Sequence, residues 1–111
     1  MDRVPRLHDL KCWPEYFEAV DDGRKGFEVR ENDRDFATGD YLLLREWTPQ
    51  FESCYTGRWL IAHVGYCVDL AVIESQKDYV GMDVFVVLRP GDHEETIPTT
   101  LPRWSDNAAP F

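Results

Sequence analysis

Gly23-Arg24-Lys25-Gly26-Phe27-Glu28-Val29-Arg30-Glu31 reads as a helix end, a tight turn and the start of a strand. Gly23 suits the left-handed position that closes a helix. From Phe27 the residues alternate strictly, apolar then charged, over the period of two that marks a half-buried strand. The apolar side predicts that Phe27 and Val29 face the core and hold the strand rigidly. Glu28 and Arg30 then share the outer face, about 7 Å apart, with Lys25 in the turn beside them. A cation, an anion and a guanidinium are thus expected together on one rigid edge.

Working outward, Trp13-Pro14 opens a short helix that Gly23 ends. Proline is tolerated at the first helical position, and Glu15 suits the positive helix end. Trp13, Phe17 and Val20 recur on one helical face. Two turns are not stable alone, so the helix must dock, capping one end of a larger body. Leu7 to Trp13 reads as a strand before it. Downstream, Tyr41 to Trp47, Arg58 to Val68 (led in by Tyr55-Thr56-Gly57) and Tyr79 to Leu88 read as strands. Asn32 to Asp40 is a polar connection anchored by Phe36, and Asp69 to Asp78 a turn with an irregular piece. Short strands, one early helix and turn residues between them predict an α+β, mainly β domain. Its shape is expected to be a small closed or nearly closed barrel capped by the helix. The domain is assigned to residues 1–88. Residues 89–111 carry prolines at 90, 98, 102 and 110 and read as an acidic tail or strap, with Trp104 and Phe111 as anchors.

The chain has 111 residues, 43% of them hydrophobic and 14% aromatic, enough for one core without staples. The longest apolar run, Val84 to Leu88, is far too short to span a membrane. The first residues resemble neither a signal nor a transit peptide, so a cytoplasmic protein without membrane association is expected. Cys12, Cys54 and Cys67 are odd in number and widely spaced from one another and from the histidines, which argues for reduced thiols and against a disulfide framework or metal site. No cofactor is expected.

The net charge is −9, which excludes a broadly basic nucleic-acid-binding surface. Its distribution leaves room for a local one. Residues 23–58 carry six of the twelve cations and are nearly balanced, whereas residues 59–111 carry three cations against eight acidic groups.

In that middle third, lysine offers a compact charge for a phosphate, and arginine a planar fork for phosphate, base edge or ring. Glu28 would orient either cation or accept from a base amino group. The competing reading is an ordinary surface ion-pair trio. Arg34, Arg45 and Arg58 extend the candidate cleft, with Trp47 and Tyr55 either as stacking platforms or as cross-strand braces. His8 and Lys11, just before the helix, are expected at the same opening. Asn32-Asp33-Arg34-Asp35 also reads as a turn satisfied by its own side chains.

Gly23-x-Lys25-x-x-Glu28-x-Arg30 resembles the GxKxxExR motif of the ASCH domain family, a branch of the PUA-like barrels. Further blocks resemble an ASCH-like family of small uncharacterised phage and bacterial proteins of the DUF3850 type: His8-Asp9-Leu10-Lys11, Trp13-Pro14, Asn32-Asp33-Arg34-Asp35-Phe36, Gly39-Asp40, Leu42 to Glu46 and Tyr55-Thr56-Gly57-Arg58. The resemblance covers residues 7–88. It implies a PUA-like fold and a cleft beside the helix for RNA or a modified nucleotide, with Gly23, Lys25, Glu28 and Arg30 at its centre. Some ASCH proteins are amidohydrolases or ribonucleases. In the former a threonine nucleophile stands where this chain has Glu28, and a threonine often follows the motif lysine where this chain has Gly26. Both departures count against amidase chemistry.

The expected function is therefore binding of RNA, single-stranded nucleic acid or a modified nucleotide. Lys25 and Glu28 would be the catalytic pair if a phosphodiester or modified base is hydrolysed. The alternative is an acidic phage-type protein that occupies the basic groove of a host nucleic-acid-handling protein, with the tail as its contact. A ligand sensor without chemistry is a third reading.

Overall fold

The computed structural model describes residues 4–50, 54–70 and 78–91. They form β1 (Leu7–Cys12), α1 (Pro14–Asp21), β2 (Phe27–Glu31), β3 (Tyr41–Trp47), β4 (Tyr55–Asp69) and β5 (Tyr79–Leu88). The expected elements are all present. Strand β4 starts at Tyr55 rather than Arg58, because Tyr55 pairs with Trp47 across a register shift in β3. The reading of Asp69 to Asp78 falls largely, and that of the tail almost wholly, outside the described residues.

The strands make one five-stranded sheet in the order β1-β3-β4-β5-β2. β1 runs parallel to β3, and the other neighbours are antiparallel. The parallel pair follows from the crossover: α1, β2 and the polar connection all lie between β1 and β3 in sequence. Irregularities in the β4–β5 register near Ile61 and Val64 let the long β4 bend. The sheet curls into a half-barrel. It is not closed by a β1–β2 ladder, since those strands are its two edges.

The concave face holds the main core: Leu10 and Cys12 of β1, Leu42 and Leu44 of β3, Leu60, Ala62 and Val64 of β4, and Val80, Met82 and Val84 of β5. Helix α1 lays Phe17 and Val20 onto this core, the two buried residues of its apolar face. Burying side chains of this kind contributes about 1.5–3 kcal/mol each, which is what holds so short a helix in place. Trp13 supplies the carbonyl that accepts from the N–H of Phe17 at 2.8 Å. Gly23, at φ 85°, turns the chain out of the helix as expected. A second, smaller cluster of Leu43, Ile61 and Leu88 lies on the convex face.

β2 keeps its predicted period but inverts the predicted phase. Glu28 and Arg30 are buried, with 1% and 2% of their surface exposed, whereas Phe27 and Val29 point outward at 56% and 37%. Register explains why. Glu28 and Arg30 pair across the ladder with Met82 and Val80, whose side chains belong to the concave core, and cross-strand partners share a face. The expectation that the apolar pair faces the core is thereby corrected: the charged pair is held inside because each charge there finds a partner.

Candidate ligand site

The motif residues form a chain of ion pairs running from the turn after α1 along β2. Lys25 donates from Nζ to Glu28 Oε1 at 2.9 Å, and Arg30 donates from Nε to Glu28 Oε2 at 3.0 Å. Arg30 also donates from Nη2 to the main-chain carbonyl of Lys11 on β1, again at 3.0 Å. Both Glu28 oxygens are engaged, so this carboxylate positions two cations and is not poised for attack. Lys25 keeps 19% of its side chain exposed and is the member of the trio that a ligand can reach. Its turn is set by Gly23 and by the Lys25 N–H, which donates to Ala19 O at 2.9 Å.

Two rings flank the Lys25 ammonium. The Tyr16 ring centre lies 4.9 Å from Nζ and the Phe27 ring centre 5.6 Å, within cation–π range. Both rings are exposed. Sequence reasoning missed both. Tyr16 left a signal, since it lies off the Trp13-Phe17-Val20 face of the helix. Phe27 left none, because alternation does not say which side is buried. A cleft of about 380 Å³ adjoins this spot, between the end of α1 and β5, lined by residues that include Gly23, Lys25, Gly26 and Phe85.

Behind the trio lies Cys12, fully buried. Burial pushes its thiol up to about 12, and the negative charge of Glu28 adds to the rise while Arg30 and Lys25 oppose it. The thiol is therefore neutral and a poor nucleophile at ordinary pH. Glu46, the register partner of Cys12, is also buried and accepts from Thr56 Oγ1 at 2.7 Å.

The remaining predicted residues are distributed otherwise. Arg34 is buried and donates from Nη1 to the carbonyl of Asp9 at 2.8 Å; burial lowers its pKa from the usual arginine value. It is a main-chain clamp rather than a wall of the cleft. The Asn32 turn is satisfied as expected, with Asn32 Oδ1 accepting from the Phe36 N–H at 3.0 Å. Arg45 donates to Asp9 Oδ1 at 2.7 Å and lies over the Tyr55 ring at 4.0 Å. Burial raises the pKa of Tyr55, against the opposing charge of Arg45. Trp47 packs edge-on against Trp13 at 5.3 Å, with the Lys11 ammonium 5.4 Å from its ring, so it braces β3 against the start of α1. Arg58 clasps α1 to the sheet: it pairs with Glu18 at 3.0 Å, Glu46 at 3.5 Å and Asp21 at 3.6 Å. Its hydrogen bond to Glu18 raises its pKa.

His8 does not reach the opening. It is fully buried, bonded through Nε2 to Asp40 Oδ2 at 2.8 Å and packed on Phe36. Asp40 also accepts from the N–H groups of Arg6 and Ala37. The pair ties β1 to the turn before β3, so the expectation of a ligand-facing His8 is corrected. Among the described residues, no group of three or more His, Cys, Asp or Glu is placed to hold a metal ion. No helix among them is long and apolar enough to cross a membrane.

Residues 7–84 match the family model described as a domain of unknown function, DUF3850. The chain is also similar to an uncharacterized 12.9 kDa protein in the GpA 3′ region of Escherichia phage P2. The two are 35% identical over 77 residues, which is 69% of this chain and 66%, just under two thirds, of the relative. The family match contains every residue of the Lys25–Glu28–Arg30 cluster.

Proposed function

This chain belongs to the DUF3850 family, and from that premise we propose that it binds a nucleotide or a short unpaired stretch of RNA at Lys25. The observation that carries the reading is the Lys25 ammonium, held at 2.9 Å by buried Glu28 and flanked by the exposed rings of Tyr16 and Phe27. An ammonium suits a phosphate, and exposed rings suit the faces of bases. The likeness of the motif to the ASCH branch of the PUA-like barrels supports the same assignment. The charge of −9 favours a small footprint, since a long polyanion would meet repulsion beyond the cleft. Binding without turnover fits the geometry best, because the carboxylate beside Lys25 has both oxygens occupied.

The test is a titration of the protein and its Lys25→Ala and Tyr16→Ser variants with nucleoside monophosphates, labelled single-stranded RNA, single-stranded DNA and duplex DNA at two salt concentrations. The expected result is salt-sensitive binding of a nucleotide or RNA, lost in Lys25→Ala and weakened in Tyr16→Ser. Undiminished binding by Lys25→Ala, or no binding by the intact protein, would overturn the assignment.

A further inference from the structure

The convex face of the sheet carries large apolar side chains open to solvent. Tyr66 is 62% exposed, Phe85 56%, Val68 42% and Val29 37%. Their grouping follows from register. Val29, Gly81 and Val68 form one row across β2, β5 and β4, and Phe27, Asp83 and Tyr66 form the next. Phe27 marks the border with the lysine site.

Two glycines keep this face low. A Cβ at Gly81 would stand 3.6 Å from both Leu70 Cδ2 and Val68 Cγ1, so Leu70 leans over the bare position and adds apolar surface. A Cβ at Gly65 would lie 2.8 Å from Asp83 Oδ1, so only glycine lets the Asp83 carboxylate lie against β4. The resulting strip is three strands wide, about 10 Å between the outer strands, which matches the diameter of one α-helix, about 10 Å. A sheet face of this composition is ordinarily covered by another element.

The charges define what covers it. Asp83 sits within the strip and Glu31 at its end. Beyond Glu31, Asp33, Asp69 and Asp78 gather around a cleft of about 400 Å³. At the opposite end Lys25 and Arg89 are each bonded to a carboxylate of this chain, Glu28 and Asp21. A second copy would set one acidic strip against another. We infer that this face receives a basic amphipathic helix of a protein partner, its apolar stripe on Val29, Val68, Leu70 and Tyr66 and its cations toward Asp83 and the acidic end. This surface borders the lysine site at Phe27 and Phe85, but the residues that would seat the helix, Val29, Val68, Leu70, Tyr66 and Asp83, lie outside that site, so the inference does not depend on the nucleotide reading.

The experiment uses the full chain and a labelled Leu/Lys peptide of about 18 residues, roughly 27 Å of helix, patterned to be amphipathic. A scrambled peptide of the same composition controls for charge alone. Fluorescence anisotropy should show saturable binding of the patterned peptide, with the scrambled one at least about tenfold weaker. The Tyr66→Ser/Val68→Ser double variant should lose about tenfold or more in affinity for the patterned peptide, and Asp83→Asn should weaken binding independently. Circular dichroism checks that the variants are folded; if the double variant is not, Asp83→Asn decides. The inference is overturned if the patterned peptide does not bind, if the scrambled one binds equally, or if folded variants bind like the parent. Sedimentation showing a dimer that Tyr66→Ser/Val68→Ser dissociates would instead assign the face to a second copy.

Discussion

Arg30 on one edge of the sheet donates to the carbonyl of Lys11 on the other edge, at 3.0 Å. The Tyr41 N–H donates to Arg6 O, so the carbonyls of Arg6, His8 and Leu10 turn toward β3. By alternation those of Asp9 and Lys11 face the open seam. Arg34 takes the first of these and Arg30 the second. Two guanidinium groups thus supply donors where a neighbouring strand would have supplied N–H groups, which answers the need to satisfy buried carbonyls.

Replacing Arg30 by Met should therefore destabilise the fold strongly. It removes the seam bond and one of the two partners of buried Glu28. Breaking a buried pair from one side costs about 3–5 kcal/mol. Urea unfolding measures this, and a loss below about 1 kcal/mol, the range of an exposed pair, would contradict the seam role.

Lys25 and Glu28 pair with each other but should respond differently. Lys25→Ala leaves Glu28 bonded to Arg30 and removes only its part-buried partner, so stability should fall by about 1–2 kcal/mol, less than for Arg30→Met, while nucleotide binding is expected to be lost. Glu28→Ala strands Arg30 without its carboxylate and should cost about 3–5 kcal/mol. Thermal melts of the two variants, run beside the binding titration, distinguish the role proposed for Lys25 from a positioning role for Glu28.

Cys12 makes a prediction about pH. The folded thiol keeps its proton up to about 12, against 9.0 for an ordinary thiol. Between those values the folded state binds more protons than the unfolded one, so stability falls as pH rises. This group contributes no slope below about pH 9 and up to about 1.4 kcal/mol per pH unit above it. Urea midpoints at pH 8 and pH 10 should show the loss, and Cys12→Ala should flatten it. Native Cys12 should also resist alkylation at pH 8 until the protein is unfolded.

Asp40 should matter for folding and not for ligand. Asp40→Ala removes the acceptor for His8, Arg6 and Ala37, and bonds to a charged group are worth about 1.5–3 kcal/mol each. A loss of about 3 kcal/mol or more is expected in urea unfolding, with nucleotide affinity unchanged under conditions where the variant remains folded. A specific loss of affinity in the folded variant would return the His8–Asp40 pair to the site.

The sequence by itself determined where the elements lie. The period of Phe27 to Glu31, the Trp13-Phe17-Val20 face and the turn at Gly23 are local properties of backbone geometry and steric preference, and all three stand in the structure. It also singled out Lys25, Glu28 and Arg30 as one group. The tertiary structure alone decided which way β2 faces, because a period of two has no phase until the strand pairs. Here Met82 and Val80 turn Glu28 and Arg30 inward. Only the fold could show that Arg30 and Arg34 reach carbonyls of β1, that His8 is consumed by Asp40, and that Tyr16 and Phe27 stand beside Lys25. Most of those contacts join residues distant in sequence, the Phe27–Lys25 contact depends on the phase of β2, and a buried charge is stabilised only by the partners that the completed fold brings to it.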